Sequence, residues 1–190
     1  MIEHLRPALT LLAGLTLLTG VAYPLAITGV AQVALPRAAG GSLVEIDGRI
    51  VGSRLIGQTF TDPKWFHGRP SATAAAPYDA AASSGSNLGP LSAKLIDRVK
   101  TDVAALRTET GAVTVPADAV TTSASGLDPH ISPANARSQV KRIAAARGVA
   151  PERVEALIAA ATRGRDLGFL GEPRVDVLEL NLALARLGPS

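Results

Sequence analysis

Cysteine is absent from this chain of 190 residues, and aromatic residues make up only 3% of it. Without cysteine there is neither a disulfide framework nor a thiolate metal site, and thiol chemistry gives no indication of the compartment. With so few rings, the core must consist mainly of Val, Leu, Ile and Ala. The 19 basic and 16 acidic residues are mixed along the chain, and a net charge of +3 is too small to indicate nucleic-acid binding.

The common sequence motifs of enzymes are also missing. The chain has no glycine-rich phosphate loop of the GK[ST] type, no HExxH zinc motif and no GxSxG nucleophile elbow. His4, His67 and His130 are far apart in the sequence, and nothing specifies carboxylates that would join them around a metal ion. The sequence therefore predicts no catalytic residues and no metal site.

One long hydrophobic run lies near the N-terminus. No charged side chain occurs between Arg6 and Arg37, and at about 1.5 Å per residue this run exceeds a hydrocarbon core of ~30 Å. A cleaved signal peptide is the alternative, but its apolar region should end after about 7–15 residues. The basic residues on both sides of the run leave the orientation open. We predict an N-terminal flank over 1–6, one transmembrane helix over 7–35, a linker over 36–42 and one soluble domain over 43–190.

The soluble part mixes strand and helix patterns, so its predicted class is α+β, with a small sheet and several helices. Asp47-Gly48 suits a type I′ turn and separates two runs of alternating apolar residues, which predicts a hairpin. Helical spacing and start signals predict helices from Pro90 to Gly111, from Ser132-Pro133 to near Gly148, from Pro151, and in the tail after a short strand at Val175.

The segment 61–89 follows neither the strand nor the helix period. Its composition is that of a linker, yet this stretch with Phe60 holds four of the chain's six aromatic residues, and such a density of rings indicates packing. Long ordered loops are often binding elements, although this one could simply close the core. The candidates for partner binding or for loop structure are Trp65, Phe66, Arg69 and Tyr78.

The string GLDPHISP is the densest polar cluster. A catalytic interpretation has Asp128 orient His130 toward a serine hydroxyl, which would make the protein a membrane-anchored hydrolase. We favour a structural interpretation, because Asp and Ser commonly bond to local backbone in turns and helix caps. Asp128 and His130 therefore join the candidates for partner binding or loop structure.

The string SSGSNLG precedes the helix expected at Pro90. Backbone N–H groups in such a loop can hold an anion at a helix N-terminus, although loops of this composition are also common turns. The lysine and hydroxyl spacing of nucleotide-binding loops is missing. The weak candidates for a nucleotide or anion contact are Ser84, Gly85, Ser86 and Asn87.

Five segments, taken in order, resemble the C subunit (KdpC family) of the bacterial Kdp potassium-transporting P-type ATPase. They are GQTFTDPKWFHGRPSAT, APYD, SSGSNLGP, VPADAVTTSASGLDPHIS and GEPRVDVLELNLAL. The resemblance covers nearly the whole chain. The sequence departs from the family pattern at Trp65, Asp79, Ser84 and Asp176, where Tyr, Asn, Gly and Asn are usual.

The resemblance implies a non-catalytic accessory subunit of an inner-membrane complex that imports K⁺ at the expense of ATP. Its partners would be membrane lipid, an ATPase subunit and a potassium-channel-like subunit. Its role would be assembly or stabilisation, or raising the ATP affinity of the ATPase subunit as a catalytic chaperone. The resemblance implies no cofactor of its own, with ATP and K⁺ acting at the level of the complex, and an extracytoplasmic domain whose 60–90 loop and GLDPHIS turn face the partners.

Overall fold

The computed structural model describes residues 2–187. The chain divides into two compact units, Met1–Val51 and Gly52–Ser190. The first unit is dominated by one apolar helix, Leu5–Ala34, with a mean hydropathy of 1.7 and no buried residue in its apolar window, so its length and composition make it a candidate membrane span. The first unit contains a 3₁₀ turn at Ile2–His4, α1 Leu5–Leu17, a π-helical turn at Leu18–Ala22, α2 Tyr23–Ala34 and α3 Pro36–Ala39.

The π-helical turn accommodates a proline inside this helix. Pro24 has no N–H to donate, and the N–H of Tyr23 donates to the carbonyl of Leu18, five residues earlier. The hydroxyl of Thr19 donates to the carbonyl of Leu15 at 2.7 Å. One widened turn therefore keeps the helix continuous across the proline.

The hairpin predicted at Asp47-Gly48 is confirmed. Its strands are β1 Leu43–Ile46 and β2 Arg49–Ser53. Asp47 and Gly48 have φ angles of 50° and 74°, as a type I′ turn requires.

The second unit is an α+β arrangement built around a three-stranded antiparallel sheet of order β3-β5-β4. In its register His130 lies opposite Asp176, and Val175 lies opposite both Ile131 and Thr162. Its elements are α4 Ala93–Thr110, α5 Ala117–Val120, β3 His130–Ile131, α6 Pro133–Ser138, α7 Val140–Arg147, α8 Pro151–Ala161, β4 Thr162–Arg163, β5 Arg174–Asp176 and α9 Val177–Ala185.

The core lies between this sheet and helices α6 to α9. Aliphatic side chains fill it together with one aromatic ring, as the low aromatic content predicts. The helix expected from Pro151 and the strand followed by a helix expected in the tail are confirmed. The largest fully buried side chains are Phe66, Ile143, Ile158, Leu180, Leu184, Val154 and Val175.

Two helix predictions need correction. α4 does not begin at Pro90, because Pro90 occupies a β-turn closed by the Ser92 N–H and the Gly89 carbonyl at 3.0 Å. The Leu91 side chain is consequently 92% exposed. The helix expected from Ser132 to Gly148 is two helices, α6 and α7, which meet at Gln139.

The segment 61–89 is irregular, as predicted, apart from a 3₁₀ turn at Ala80–Ala82. It lies against α7 and α9 through side-chain contacts that hold its backbone.

Candidate partner-binding site

Two buried carboxamide side chains hold the backbone of the 60–90 loop. Asn181 accepts from the Phe66 N–H at 2.8 Å and donates Nδ2 to the Phe66 carbonyl at 3.0 Å. Gln139 accepts from the His67 N–H at 2.8 Å and donates Nε2 to the His67 carbonyl at 3.1 Å. Each carboxamide thus pairs with a backbone residue as a neighbouring strand would. We call Asn181 and Gln139 the carboxamide clamp.

Arg142 extends the clamp toward the start of the loop. Its Nη2 donates to Gln139 Oε1 at 2.7 Å, and its Nη1 donates to the carbonyls of Trp65, at 3.0 Å, and of Pro63. Arg142 Nε lies 2.7 Å from Glu109 Oε1 and forms an ion pair with it. One guanidinium therefore ties the loop to both α4 and α7.

The two neighbouring rings of the loop have different surroundings. Phe66 is 0% exposed and lies in the core, so it presents no surface to another chain. Trp65 is half-buried beside the core, with the Arg147 guanidinium carbon 4.6 Å from its ring centroid. Arg147 also donates to the carbonyls of Lys64 and Leu184, at 3.0 and 3.1 Å, which fixes its position over the ring.

Arg69, Asp128 and His130 come together as one partly exposed polar cluster. Arg69 Nη1 donates to Asp128 Oδ2 at 2.9 Å, and Asp128 Oδ1 accepts from the His130 N–H at 3.0 Å. The Nδ1 atom of His130 lies 3.4 Å from the same carboxylate. Arg69 also donates to the carbonyls of Thr121 and Thr122 at 3.4 Å. The cluster therefore joins the loop to the GLDPHIS turn.

Burial raises the pKa of Asp128, but hydrogen bonds from His130 and from the Arg69 guanidinium outweigh that effect, and the pKa lies below its usual value. Asp128 is therefore ionised at neutral pH. The pKa of His67 is lowered by burial and by the charge of Arg142, which keeps its ring neutral under the same conditions. The cluster thus pairs the ionised Asp128 carboxylate with the Arg69 guanidinium, and His67 is not part of it.

Tyr78 fastens the other side of the loop. Its hydroxyl donates to the Arg69 carbonyl at 2.6 Å, and burial, followed by the charge of Asp128, raises its pKa to about 12. Gly57 and Gly68 permit this position, because a Cβ on either glycine would lie 2.4 Å from a Tyr78 side-chain atom. The phenol is therefore a protonated donor that packs closely against Gly57 and Gly68.

The SSGSNLG segment lies along residues 124–126. The Ser84 N–H donates to the Ser125 carbonyl at 3.0 Å, and a Cβ on Gly85 would lie 2.7 Å from the Ala124 carbonyl oxygen. Asn87 has a φ of 51°, and Ser86 is partly exposed. Because α4 starts at Ala93, the segment is separated from a helix N-terminus by the Pro90 turn.

Ser132, the serine that follows the Asp128 and His130 pair, has a structural role. Its hydroxyl accepts from the Asn135 N–H at 3.0 Å and caps α6, and it donates to Asp118 Oδ1 at 2.8 Å. Asp118 also accepts from the Ser132 N–H and from Asn135 Nδ2. The predicted helix cap and Asp128 turn are thus confirmed. Among residues 2–187, no three His, Asp or Glu side chains are grouped as metal ligands.

Asp176 is a buried carboxyl on the edge of this region. It caps α9 by accepting from the Glu179 N–H at 2.8 Å and lies opposite His130 in the sheet. Burial raises the pKa of Asp176. The hydrogen bond from the Glu179 N–H and the charges of His130 and Arg163 lower it, but their effect is smaller than that of burial. An asparagine could cap the helix at this position without a buried charge.

Sequence reasoning missed the clamp residues. One signal was present, since Asn181 interrupts an apolar helical face that otherwise carries Val177, Leu180 and Leu184. A polar residue in such a stripe needs a buried hydrogen-bond partner. Gln139 gave no comparable signal, because it lies where a continuous helix was expected.

The first unit contains a candidate membrane span, and the polar clusters of the second unit bond mainly to that unit's own backbone. A family model described as "KdpC: K+-transporting ATPase, c chain" matches residues 5–186. The chain belongs to this family, so it is a non-catalytic subunit of a potassium-transporting ATPase complex, and the accessory role expected from the sequence is confirmed. The hydrolase interpretation loses its support.

Individual relatives agree over the full length. A "Potassium-transporting ATPase KdpC subunit" of Caulobacter vibrioides is 62% identical over 191 residues, covering 100% of this chain and 96% of the relative. Proteins of the same name from Methylobacterium nodulans and Rhodopseudomonas palustris are 60% and 56% identical, covering 98% and 97% of this chain and 98% of each relative.

Proposed function

We propose that this chain is a single-pass inner-membrane subunit that helps to assemble and stabilise the complex with its ATPase and potassium-channel-like subunits. The observation that carries the proposal is the apolar helix Leu5–Ala34, whose apolar window has no buried residue in this chain. Such a helix needs lipid or partner helices around it. Membership in a family of K⁺-transporting ATPase subunits supports the same conclusion.

The second unit is extracytoplasmic in this proposal, and the polar cluster of Arg69, Asp128 and His130 faces a partner subunit, with Trp65 and Tyr78 shaping the loop behind it. Support comes from the partial exposure of the cluster, whose side chains are between 23% and 30% exposed. Phe66 contributes by holding the loop, since its ring is fully buried.

An extracytoplasmic domain can change ATP affinity only through coupling across the membrane subunits. We therefore propose that ATP and K⁺ act on the complex and that any chaperone effect on ATP is indirect. Direct contact of ATP with the Ser84–Asn87 segment requires a cytoplasmic domain instead. The side of the membrane thus separates the two mechanisms.

Thiol labelling in intact cells tests the placement, since the chain has no native cysteine. Ala156→Cys is on the exposed side of α8, which follows the apolar helix in the sequence. Glu3→Cys lies before the N-terminal end of that helix, so a spanning helix would place the two thiols on different sides of the membrane. A membrane-impermeant reagent should label Ala156→Cys and spare Glu3→Cys until lysis, whereas the reverse would place the second unit inside. Ala136→Cys is the matched control, because Ala136 is fully buried and should react only after unfolding.

Purification of the complex tests the role. A tagged full-length chain should bring down the other subunits, and complex prepared without it should be recovered in lower yield. If ATPase activity measured against ATP concentration shows a raised KM in its absence, the chaperone effect is supported. An unchanged KM together with a lower yield would support the assembly role and contradict the chaperone effect.

A further inference from the structure

His130 lies beside two carboxylates that come from different parts of the second unit. In the turn just before β3, Asp128 Oδ1 lies 3.4 Å from the His130 Nδ1 atom. On the neighbouring strand β5, Asp176 is directly opposite His130. His130 lowers the pKa of both carboxyls, through hydrogen bonds at Asp128 and through its charge at Asp176. One imidazole therefore acts on both carboxylates.

The sheet brings the His130 and Asp176 side chains close together. The N–H of Val177 donates to the Pro129 carbonyl at 3.0 Å, so these two residues form a hydrogen-bonded pair of the ladder. The next pair along an antiparallel ladder is not hydrogen-bonded, and its facing side chains approach more closely. His130 and Asp176 are that pair, and their side chains lie on the same face of the sheet.

The charges of the two carboxylates are not equally well compensated. Asp128 is partly exposed and bonds to the Arg69 guanidinium through Oδ2 at 2.9 Å, so that Oδ1 faces His130. Asp176 is 3% exposed, and its pKa is raised because burial outweighs the Glu179 N–H and the nearby positive charges. A positive charge on the imidazole would therefore stabilise the ionised Asp176 more than the ionised Asp128.

The neighbouring arginines compensate Asp176 only in part. Arg163 acts on Asp176, but its guanidinium is paired with Glu179 Oε2 at 2.7 Å. Arg54 is paired with the other oxygen of Glu179, also at 2.7 Å. Besides His130 and the two carboxylates, the charged and titratable groups brought here by the loop, the sheet and α9 are Arg69, Tyr78, Arg54, Arg163, Arg174 and Glu179.

We propose that His130 is a pH-sensitive switch that links the GLDPHIS turn to the start of α9 when its ring is protonated. A protonated imidazole can donate from both nitrogens and carries a positive charge, so it is attracted to Asp128 on one side and to Asp176 on the other. Asp128 remains bonded to Arg69, so the link extends to the 60–90 loop. When the ring loses its proton, the attraction to Asp176 is lost and the start of α9 is held less firmly.

The link exists in a limited pH range, because it requires a protonated ring and an ionised Asp176. Histidine side chains commonly take up their proton between pH 8 and pH 5. Asp176 loses its charge as the pH falls through its own pKa, which burial raises above the ordinary value of 3.8. The link is therefore absent at pH 8, present in mild acid and lost again in stronger acid. In the extracytoplasmic placement proposed above it would respond to the pH outside the cell, although the link itself does not depend on that placement.

NMR spectroscopy of the full-length chain in lipid nanodiscs, isotope-labelled at histidine, follows the protonation of each ring. The chain has three histidines, and His130→Gln identifies the signal of the switch. In Asp176→Asn the midpoint of that signal should move to lower pH by about half a pH unit or more, because an amide does not favour the protonated ring. His67 is the matched control, since burial and the charge of Arg142 act on it instead, and its midpoint should not move. An unmoved His130 midpoint would overturn the proposal.

Hydrogen–deuterium exchange of the same preparation tests whether the proton links the two elements. After correction for the intrinsic effect of pH, the amides of residues 127–131 and of the first turn of α9 should exchange about threefold more slowly at pH 6 than at pH 8, the scale of a cross-strand ion pair. His130→Gln has a side chain that cannot take up a proton, so it should show no such difference. The amides of α8 are the internal control, because their ratio should be the same in both proteins.

The two measurements have separate outcomes. A midpoint that responds to Asp176→Asn without slower exchange would show a proton site that links nothing, and this too would overturn the proposal. If His130→Gln did not fold, Asp176→Asn would replace it, because loss of either partner should abolish the slower exchange at α9. None of these results bears on the proposed function, since retention of the partner subunits is not measured in them.

Discussion

Two regions of the second unit use apolar residues in opposite ways. The 60–90 loop is long and has a linker-like composition, yet Phe66 is in the core and its backbone is clamped by Asn181 and Gln139. The hairpin at 163–173 is short and charged, yet it exposes Leu167 and Phe169. The dense rings of the 60–90 loop therefore coincide with packing against the core, whereas the hairpin leaves its phenylalanine exposed.

Removal of the buried ring should have the largest effect on stability. Phe66→Ala should lower the free energy of unfolding by about 3–5 kcal/mol, because it empties a fully enclosed volume. Phe169→Ala is the matched control and should change it by less than about 0.5 kcal/mol. Urea unfolding of the full-length chain in detergent measures both. Similar losses of unfolding free energy for the two variants would contradict the contrast between a buried Phe66 and an exposed Phe169.

The clamp should contribute nearly as much as the ring. Asn181→Leu keeps the side-chain size but leaves the Phe66 N–H and carbonyl buried without partners, at about 1–3 kcal/mol for each group. Lys141→Leu makes the same kind of replacement on the exposed side of α7 and should change the free energy of unfolding by less than about 0.5 kcal/mol. If Asn181→Leu left the free energy of unfolding nearly unchanged, the carboxamide clamp would not be needed to hold the loop.

The buried carboxyl of Asp176 should oppose stability. A carboxyl whose pKa is raised by folding destabilises the folded state above that pKa, and the penalty disappears as the pH falls toward the ordinary value of 3.8. Asp176→Asn should therefore raise the free energy of unfolding at pH 7 by about 1 kcal/mol, the scale of one unsatisfied buried group. The free energies of unfolding of Asp176→Asn and the unmodified chain should approach each other as the pH falls from 7 to 4. A difference that stays constant over this range would contradict the prediction.

Relief of backbone strain at Leu167 should have the smallest effect on stability. Leu167→Gly removes the left-handed penalty but adds freedom to the unfolded chain, so the free energy of unfolding should rise by only about 0.5–1 kcal/mol. A higher free energy of unfolding in urea would sharpen the contrast with Phe66, whereas a lower one would show that Leu167 supports the fold.

Local signals in the sequence were sufficient for much of the fold. The apolar helix, the Asp47-Gly48 hairpin, the cap at Ser132 and the helix from Pro151 follow from short-range rules of length, turn chemistry and capping, and all are present. The start of α4 was misplaced because proline suits both a first helical turn and a β-turn, and only the bond from Ser92 to Gly89 distinguishes them.

The sequence by itself determined the family, the apolar helix and the α+β class, because these depend on local pattern and on extended matching strings. Tertiary structure decided that Phe66 faces the core and Phe169 faces solvent, since both are phenylalanines in irregular segments. It also brought Asn181 to the backbone of Phe66, a contact between residues 115 positions apart. Such a contact depends on how the whole chain packs, and a local pattern carries no information about it.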